Sequence, residues 1–452
     1  MKKKMVLLGA GSAMFTQGLT LNLIKNPGKY TWELVLVDID GNVLDPVVNL
    51  VEKIISAKKA DHIEVWGAKD RREAFPGADY IVSTIGVGGR RAWEQDVYIP
   101  RKYGIFQPVG DTAMPGGVSR AMRMIPAMLD IVDDAARLCP GARFFNYSNP
   151  MAMICRAIYK VRNYPVTGLC IGVPDSEWEI ADLCGFERDK FTSIGIGVNH
   201  LTFLYKLYHN GEDAKPALNK KIEEVYKGDF NSAMLDKFYA EKQSIYYMGN
   251  LFAWSFYKTY GAFPAPGDRH ITEFLTAPFP GGAYYGRTLG VDAYSFEGTI
   301  RGGDEIHRMM MEAGNSPEPL SDEYFKHLHG EHALLMDIIN AIETGSNRVF
   351  SVNLPNRGAV PNLPYDAVLE MPAVAAADGF HPMQVLDFPD VLAGFINKAL
   401  CVFELAVEAA LSGSRPLFEE AILAGGYISD RKAVSKMTEE LIAAQKAYLP
   451  QF

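Results

Sequence analysis

The stretch KKKMVLLGAGSAMFTQGLTLNLI, residues 2–24, decides the fold. It opens as an apolar strand, turns through Gly9, Gly11 and Ser12, and enters a helix near Met14. Glycine at a strand-to-helix turn lets the backbone approach a pyrophosphate, and the helix N-terminus offers free N–H groups with partial positive charge. The dinucleotide pattern G-x-G-x-x-G is incomplete, because a residue near Phe15 takes the place of the third glycine. By itself the turn also reads as an ordinary tight strand–helix connection.

Its surroundings favour the nucleotide. ELVLVDID (33–40) is a second apolar strand ending in Asp38, where a carboxylate bonds a ribose diol and repels a 2′-phosphate. HIEVWG (62–67) and ADYIVSTIGVGG (78–89) read as third and fourth strands, the latter passing through Thr84 into Gly86. Strands alternating with helices over this span predict a doubly wound, parallel, Rossmann-like α/β sheet that binds NAD. The expected domain spans residues 1–175, with a mixed α+β domain over 176–452.

Composition narrows the partners. A net charge of −9 spread over 452 residues argues against a nucleic-acid or anionic-membrane surface, which needs clustered Lys and Arg. No apolar run approaches the roughly 20 residues of a membrane span. The basic start, MKKK, precedes an apolar stretch too short and glycine-rich for a signal peptide. Five cysteines without a metal-type doublet predict reduced thiols in a cytoplasm.

The middle of the chain carries candidate chemistry. RFFNYS (143–148) reads as a fifth strand, and Asn149 and Pro150 then open a helix, with Asn149 either an N-cap or a ligand group at a strand end. Cys170, in TGLCIGVPDS (167–176), lies between a strand and a helix start, and IGIGVNHLTFLYKLY (194–208) reads as a strand carrying His200. Each has a core reading, yet together a Cys and a His suit a borderline divalent ion. YGAFPAPGDRHITEFLTAPFPGGAYYG (260–286) reads as a functional loop, with VFSVNLPNRGAVPNLP (349–364) of similar character. Residues 216–247 and 391–412 read as long amphipathic helices.

With these pieces in order the chain resembles glycoside hydrolase family 4, the NAD- and divalent-metal-dependent glycosidases. The likeness rests on GAGS, IGVGGRRAW (85–93), GDTAMPGGVSRAMR (110–123), NYSNPM (146–151), the Cys170 segment, GVNHLTF (197–203) and NRGAVPNLP (356–364). It implies a lactate/malate-dehydrogenase-like fold, with the second domain serving substrate, metal and oligomerisation. It also implies an exception to two-carboxylate glycoside hydrolysis. By resemblance Cys170 and His200 bind the metal, usually manganese, with nickel or cobalt as alternatives. The implied reaction oxidises the sugar at C3, removes the C2 proton, expels the glycosidic oxygen from C1, adds water and returns the hydride.

The resemblance further implies roles for individual residues. Asp268 would be the base with Tyr260 as runner-up, Asp111 would lie beside the nicotinamide or substrate, and Asn149 would hold sugar hydroxyls. Position 171 is Ile, where relatives often carry a polar group, so a leaving-group acid falls to Asp111, to His270 or to no residue. The segments CIGVPDSEWE and PGDRHITEF point to the α-galacturonidase branch. A C6 carboxylate would suit a bidentate arginine, Arg269, Arg90 or Arg91. Neutral α-glucosidase, α-galactosidase and α-glucuronidase are the alternatives within the family. A 2-hydroxy acid dehydrogenase and a non-catalytic NAD sensor are the rivals outside it. A homodimer or homotetramer is expected.

Overall fold

The structure is a computed structural model that describes residues 1–13, 15–226, 230–240, 249–326 and 334–452. Six strands lie parallel: β1 (Lys2–Leu8), β2 (Thr31–Val37), β3 (Ile63–Ala68), β4 (Tyr80–Ser83), β5 (Arg143–Asn146) and β6 (Val166–Gly168). Their order across the sheet is β3-β2-β1-β4-β5-β6, the doubly wound arrangement predicted from the sequence. Val6, Leu7, Leu8, Val35, Leu36, Ile81 and Val82 are almost wholly buried, as continuous apolar runs in a parallel sheet covered on both faces should be.

The remaining strands are β7 (Phe191–Val198), β8 (Leu201–His209), β9 (Glu212–Asp213), β10 (Phe263–Ala265), β11 (Ala283–Tyr284), β12 (Arg287–Thr288), β13 (Arg348–Pro355), β14 (Val368–Ala376) and β15 (Gly379–Pro382). β13 pairs antiparallel with β6 where Asn353 faces Gly168, and the sheet continues through β14, β7, β8 and β10, all antiparallel. One sheet therefore crosses from parallel to antiparallel pairing at β6. The long helix Met114–Leu138 packs on Met151–Arg162, and Asp390–Ser412 covers both. Among the described residues no helix is long and apolar enough to cross a membrane.

Three local expectations change. The run around His200 is a hairpin rather than one strand: β7 ends at Val198, β8 begins at Leu201, and His200 turns the chain at φ +70°. A histidine in this left-handed conformation is uncommon, so something must hold it there. The predicted helix 216–247 is two helices, Lys215–Val225 and Ser232–Ala240, with 241–247 outside the described residues. Residues 349–355 are not loop but most of β13, because Val349, Phe350, Val352 and Leu354 suit a pleated ladder.

Candidate active site

The strand order reverses between β1 and β4, where doubly wound sheets open a crevice at their carboxyl ends. Gly9 enters this crevice at φ +80°, and a Cβ there would fall 3.0 Å from the backbone of Ile85. A Cβ on Gly11 would lie 2.5 Å from Val43 Cγ1 and 2.9 Å from Asp38 Oδ2. Asp38 accepts the N–H of Gly11 at 2.8 Å and that of Asp40 at 3.0 Å. The Ser12 N–H closes the turn on the Gly9 carbonyl at 3.0 Å, and Thr84 Oγ1 donates to the Leu8 carbonyl at 3.0 Å. Phe15 packs on Tyr147 at 5.5 Å, ahead of the helix Thr16–Lys25. This bare backbone cradle with a carboxylate at its edge fits a dinucleotide. Met14 lies outside the described residues.

A helix from the second half, Phe296–Asn315, lies against this turn. His307 meets the Gly11 backbone, and Asp304 pairs with both Arg90 and Arg91 at 2.6 Å. Arg90 and Arg91, expected at a sugar carboxylate, pair here with Asp304 beside the nucleotide cradle.

Beyond the ends of β4 and β5, Asp111, His200 and His270 bring ligand atoms within 4.8 Å of one another. The two imidazole rings are 4.1 Å apart. Thr112 Oγ1 gives its one proton to Asp111 Oδ1 at 2.7 Å, and the same oxygen lies 3.0 Å from His200 Nδ1. Nδ1 is therefore the donor, which leaves a bare lone pair on Nε2. Burial, with Arg269 nearby, lowers both histidine pKa values and keeps the rings neutral. Glu273 steadies the loop by accepting the N–H groups of Val109 (2.7 Å) and Gly110 (2.8 Å) on one oxygen.

Asn149 is not a helix cap. The capping position of Met151–Arg162 is Pro150, with no side-chain bond, while Asn149 Nδ2 donates to Asp111 Oδ2 at 2.9 Å. Among the described residues its Oδ1 is buried without a partner, as is Oδ1 of Asn199. Cys170 lies at the end of β6, half-buried, with Sγ 3.3 Å from the Gly172 N–H and the Asn199 side chain beside it. It is not within 4.8 Å of all three cluster residues, and burial raises its thiol well above the ordinary range. Two neutral imidazoles, a carboxylate, a nearby thiol and orphaned amide atoms form a donor set that fits a borderline divalent ion.

The other predicted catalytic residues lie elsewhere. Asp268 is fully buried, and its two oxygens accept the N–H groups of Phe252 and Ala253 at 2.7 Å, while Tyr284 donates its hydroxyl as well. It therefore caps the helix Leu251–Tyr260 from outside. Tyr260 is half-exposed at the far end of that helix, where it stacks on Phe256 and Phe395. It lines an aromatic cavity of about 280 Å³ that contains none of the cluster residues. Arg269 does reach the site. Its Nη2 donates to Thr299 at 2.9 Å, its Nε is buried without a partner, and no carboxylate among the described residues lies within 4.0 Å. Sequence reasoning missed Thr112, Arg120 and Glu273, although GDTAMPGGVSRAMR and DRHITEF contain all three.

Fold and site together define a doubly wound, nucleotide-type sheet with a cluster of cation-ligand groups at the mouth of its crevice. Models of the family 4 glycosyl hydrolases match residues 4–185, and of their C-terminal domain residues 195–425. The chain belongs to this family. It is 29% identical to an alpha-galactosidase of Rhizobium meliloti (strain 1021), over 99% of this chain and 89% of that one. It is 28% identical to an alpha-galacturonidase of Lachnoclostridium phytofermentans, over 99% and 97%. An alpha-glucosidase of Erwinia rhapontici is 27% identical, over 99% of both chains. Among solved structures, a 6-phospho-alpha-glucosidase from gut microorganisms in complex with NAD and Mn²⁺ superposes with a TM-score of 0.82 at 20% identity, covering 100% of both chains. The malate dehydrogenase of Cryptosporidium parvum shares the fold at a TM-score of 0.53 and 12% identity, over 91% of this chain and 100% of that one.

Proposed function

We propose that this glycosidase uses NAD and a divalent cation to cleave α-linked galacturonides. The observation that carries the sugar class is Arg269, a guanidinium with no carboxylate partner among the described residues, beside the His200–His270 pair. A partly buried cation of this kind favours a ligand that supplies the opposite charge, and the C6 carboxylate of a uronate supplies it in bidentate geometry. Gly9, Gly11, Asp38 and the following helix would hold NAD. His200 through Nε2, His270 and Cys170 would hold the cation.

When bound, these groups take and return the C3 hydride and draw charge from O2 and O3 of the sugar. The residues of the chain do the rest. Asn149 holds sugar hydroxyls through its free Oδ1. Asp111 takes the C2 proton on its carboxylate, being the one of the three candidate catalytic groups that reaches the cluster. Thr112 keeps His200 in the tautomer that presents Nε2. The five free cysteines suit a reducing compartment such as the cytoplasm. Exposed Leu386 and Val391 suit a homo-oligomeric contact.

The test is digalacturonate in D₂O with NAD, Mn²⁺ and a thiol reductant, with maltose and melibiose alongside. Proton NMR should show galacturonate deuterated at C2, with no accumulation of NADH. A neutral disaccharide reacting faster would overturn the sugar class. Rising NADH without hydrolysis would make the protein a dehydrogenase.

A further inference from the structure

Resting on that reaction, we propose that Arg120 is a catalytic residue that donates to the C3 oxygen of the sugar and holds the charge that collects there. Arg120 lies on the second turn of Met114–Leu138. Its Nε donates to the Asn149 carbonyl at 3.1 Å, which fixes the plane of the guanidinium. On the other side Nη2 is 3.5 Å from the Cβ position of Gly86, on the loop that follows β4. The group thus spans the gap between the nucleotide cradle and the Asp111–Asn149 pair. A sugar carbon that passes hydride to a nucleotide while its hydroxyls rest on Asn149 has to sit in this gap.

Among the described residues the remaining donors of Arg120 make no hydrogen bond, and the Trp93 ring lies 5.8 Å from the guanidinium carbon. No carboxylate among the described residues lies within 4.0 Å, because the nearby Asp96 is bound to Arg123 at 2.6 Å, both fully buried. Asp111 acts on Arg120 only at longer range, and burial weakens its hold on the proton. A half-buried guanidinium with no ion pair among the described residues favours an oxygen that gains negative charge. It cannot act as the base, since arginine keeps its proton at any working pH.

Once C3 is a ketone, Asp111 takes the C2 proton. The C2–H electron pair becomes the C2–C3 double bond, and the carbonyl π pair moves onto O3, where Arg120 meets it. When the C1–O bond breaks, the O3 pair re-forms the carbonyl and the C2–C3 pair moves to C1–C2. The bond pair leaves with the glycosidic oxygen, which takes its proton from water. Charge collects on O3 in this elimination and again when water adds to C1, and not in the bound ground state, so Arg120 should act on kcat rather than on binding.

The experiment uses the holoenzyme and the variants Arg120→Gln and Arg120→Ala on digalacturonate. For Arg120→Gln, kcat and C2 deuterium incorporation should fall together by about 10²–10³-fold, the usual cost of one oxyanion donor. KM, NAD affinity by fluorescence quenching and Mn²⁺ affinity by EPR should stay within about threefold. Added guanidinium ion should restore part of the rate to Arg120→Ala. A raised KM with intact kcat, or weakened NAD binding, would overturn the assignment. So would C2 exchange that is intact in the parent and undiminished in Arg120→Gln. Hydrolysis without any C2 exchange in the parent would overturn the parent reaction, and this role with it.

Discussion

Asp268 shows how a residue's chemistry and its task can part. A carboxylate after Gly267 in a glycine- and proline-rich loop suggests a base, yet both oxygens are taken up by helix N–H groups fifteen and sixteen residues earlier. Burial raises its pKa to about 7, a property often read as catalytic. The consequence is testable by Asp268→Asn, which turns an acceptor into a donor facing an N–H. Chemical denaturation should show a loss of about 2 kcal/mol, while the folded fraction keeps most of its activity. A true base would instead lose about 10²–10⁴ in rate with little change in stability. The sequence could not reveal this, because a cap supplied from a distant loop leaves no local pattern. For the same reason Arg90 and Arg91 suggested anion binding while their partner, Asp304, lay more than 200 residues away.

At the scale of elements, the loop 109–113 is held from several sides. Glu273 fixes its start, Thr112 ties it to the β7–β8 hairpin, and the helix Met114–Leu138 closes over it. Gly117 makes that closure possible, since a Cβ there would fall 2.3 Å from the carbonyl carbon of Thr112. Gly117→Ala should therefore push Thr112 away from His200 without unfolding the sheet. Mn²⁺ affinity measured by EPR should drop about 10–100-fold, the usual effect of losing a residue that orients a ligand. Strands β1 to β6 were legible because apolar runs and glycine turns alternate regularly. The hairpin at His200 was not, since Asn-His lacks the glycine that announces a two-residue turn. Arg120 was hidden because nothing local in GDTAMPGGVSRAMR sets it apart from Arg123, which is spent on Asp96.

For the molecule as a whole, the antiparallel half buries carboxyl groups that the reaction does not use. Glu179 and Glu273 have pKa values raised to about 8, and Glu370 to about 7, each chiefly by burial. A raised folded-state pKa means the native protein binds more protons than the unfolded chain between about pH 4.5 and 8. Stability then falls as pH rises through that window. His200 and His270 act oppositely, with lowered values, but only below their ordinary 6.5. Denaturation midpoints should therefore decline from pH 6.5 to 8.5, and Glu273→Gln, which keeps its double acceptor, should decline less steeply. The two family models divide the chain between residues 185 and 195, but the sheet does not divide there. β6 completes its ladder only through β13, which arrives after residue 347. A polypeptide cut at that junction would carry a bare strand edge, the usual seed of aggregation, and only part of the cation site. The nucleotide-binding half is thus no portable module: expressed alone it should precipitate, and mixing the two fragments should be needed to recover either.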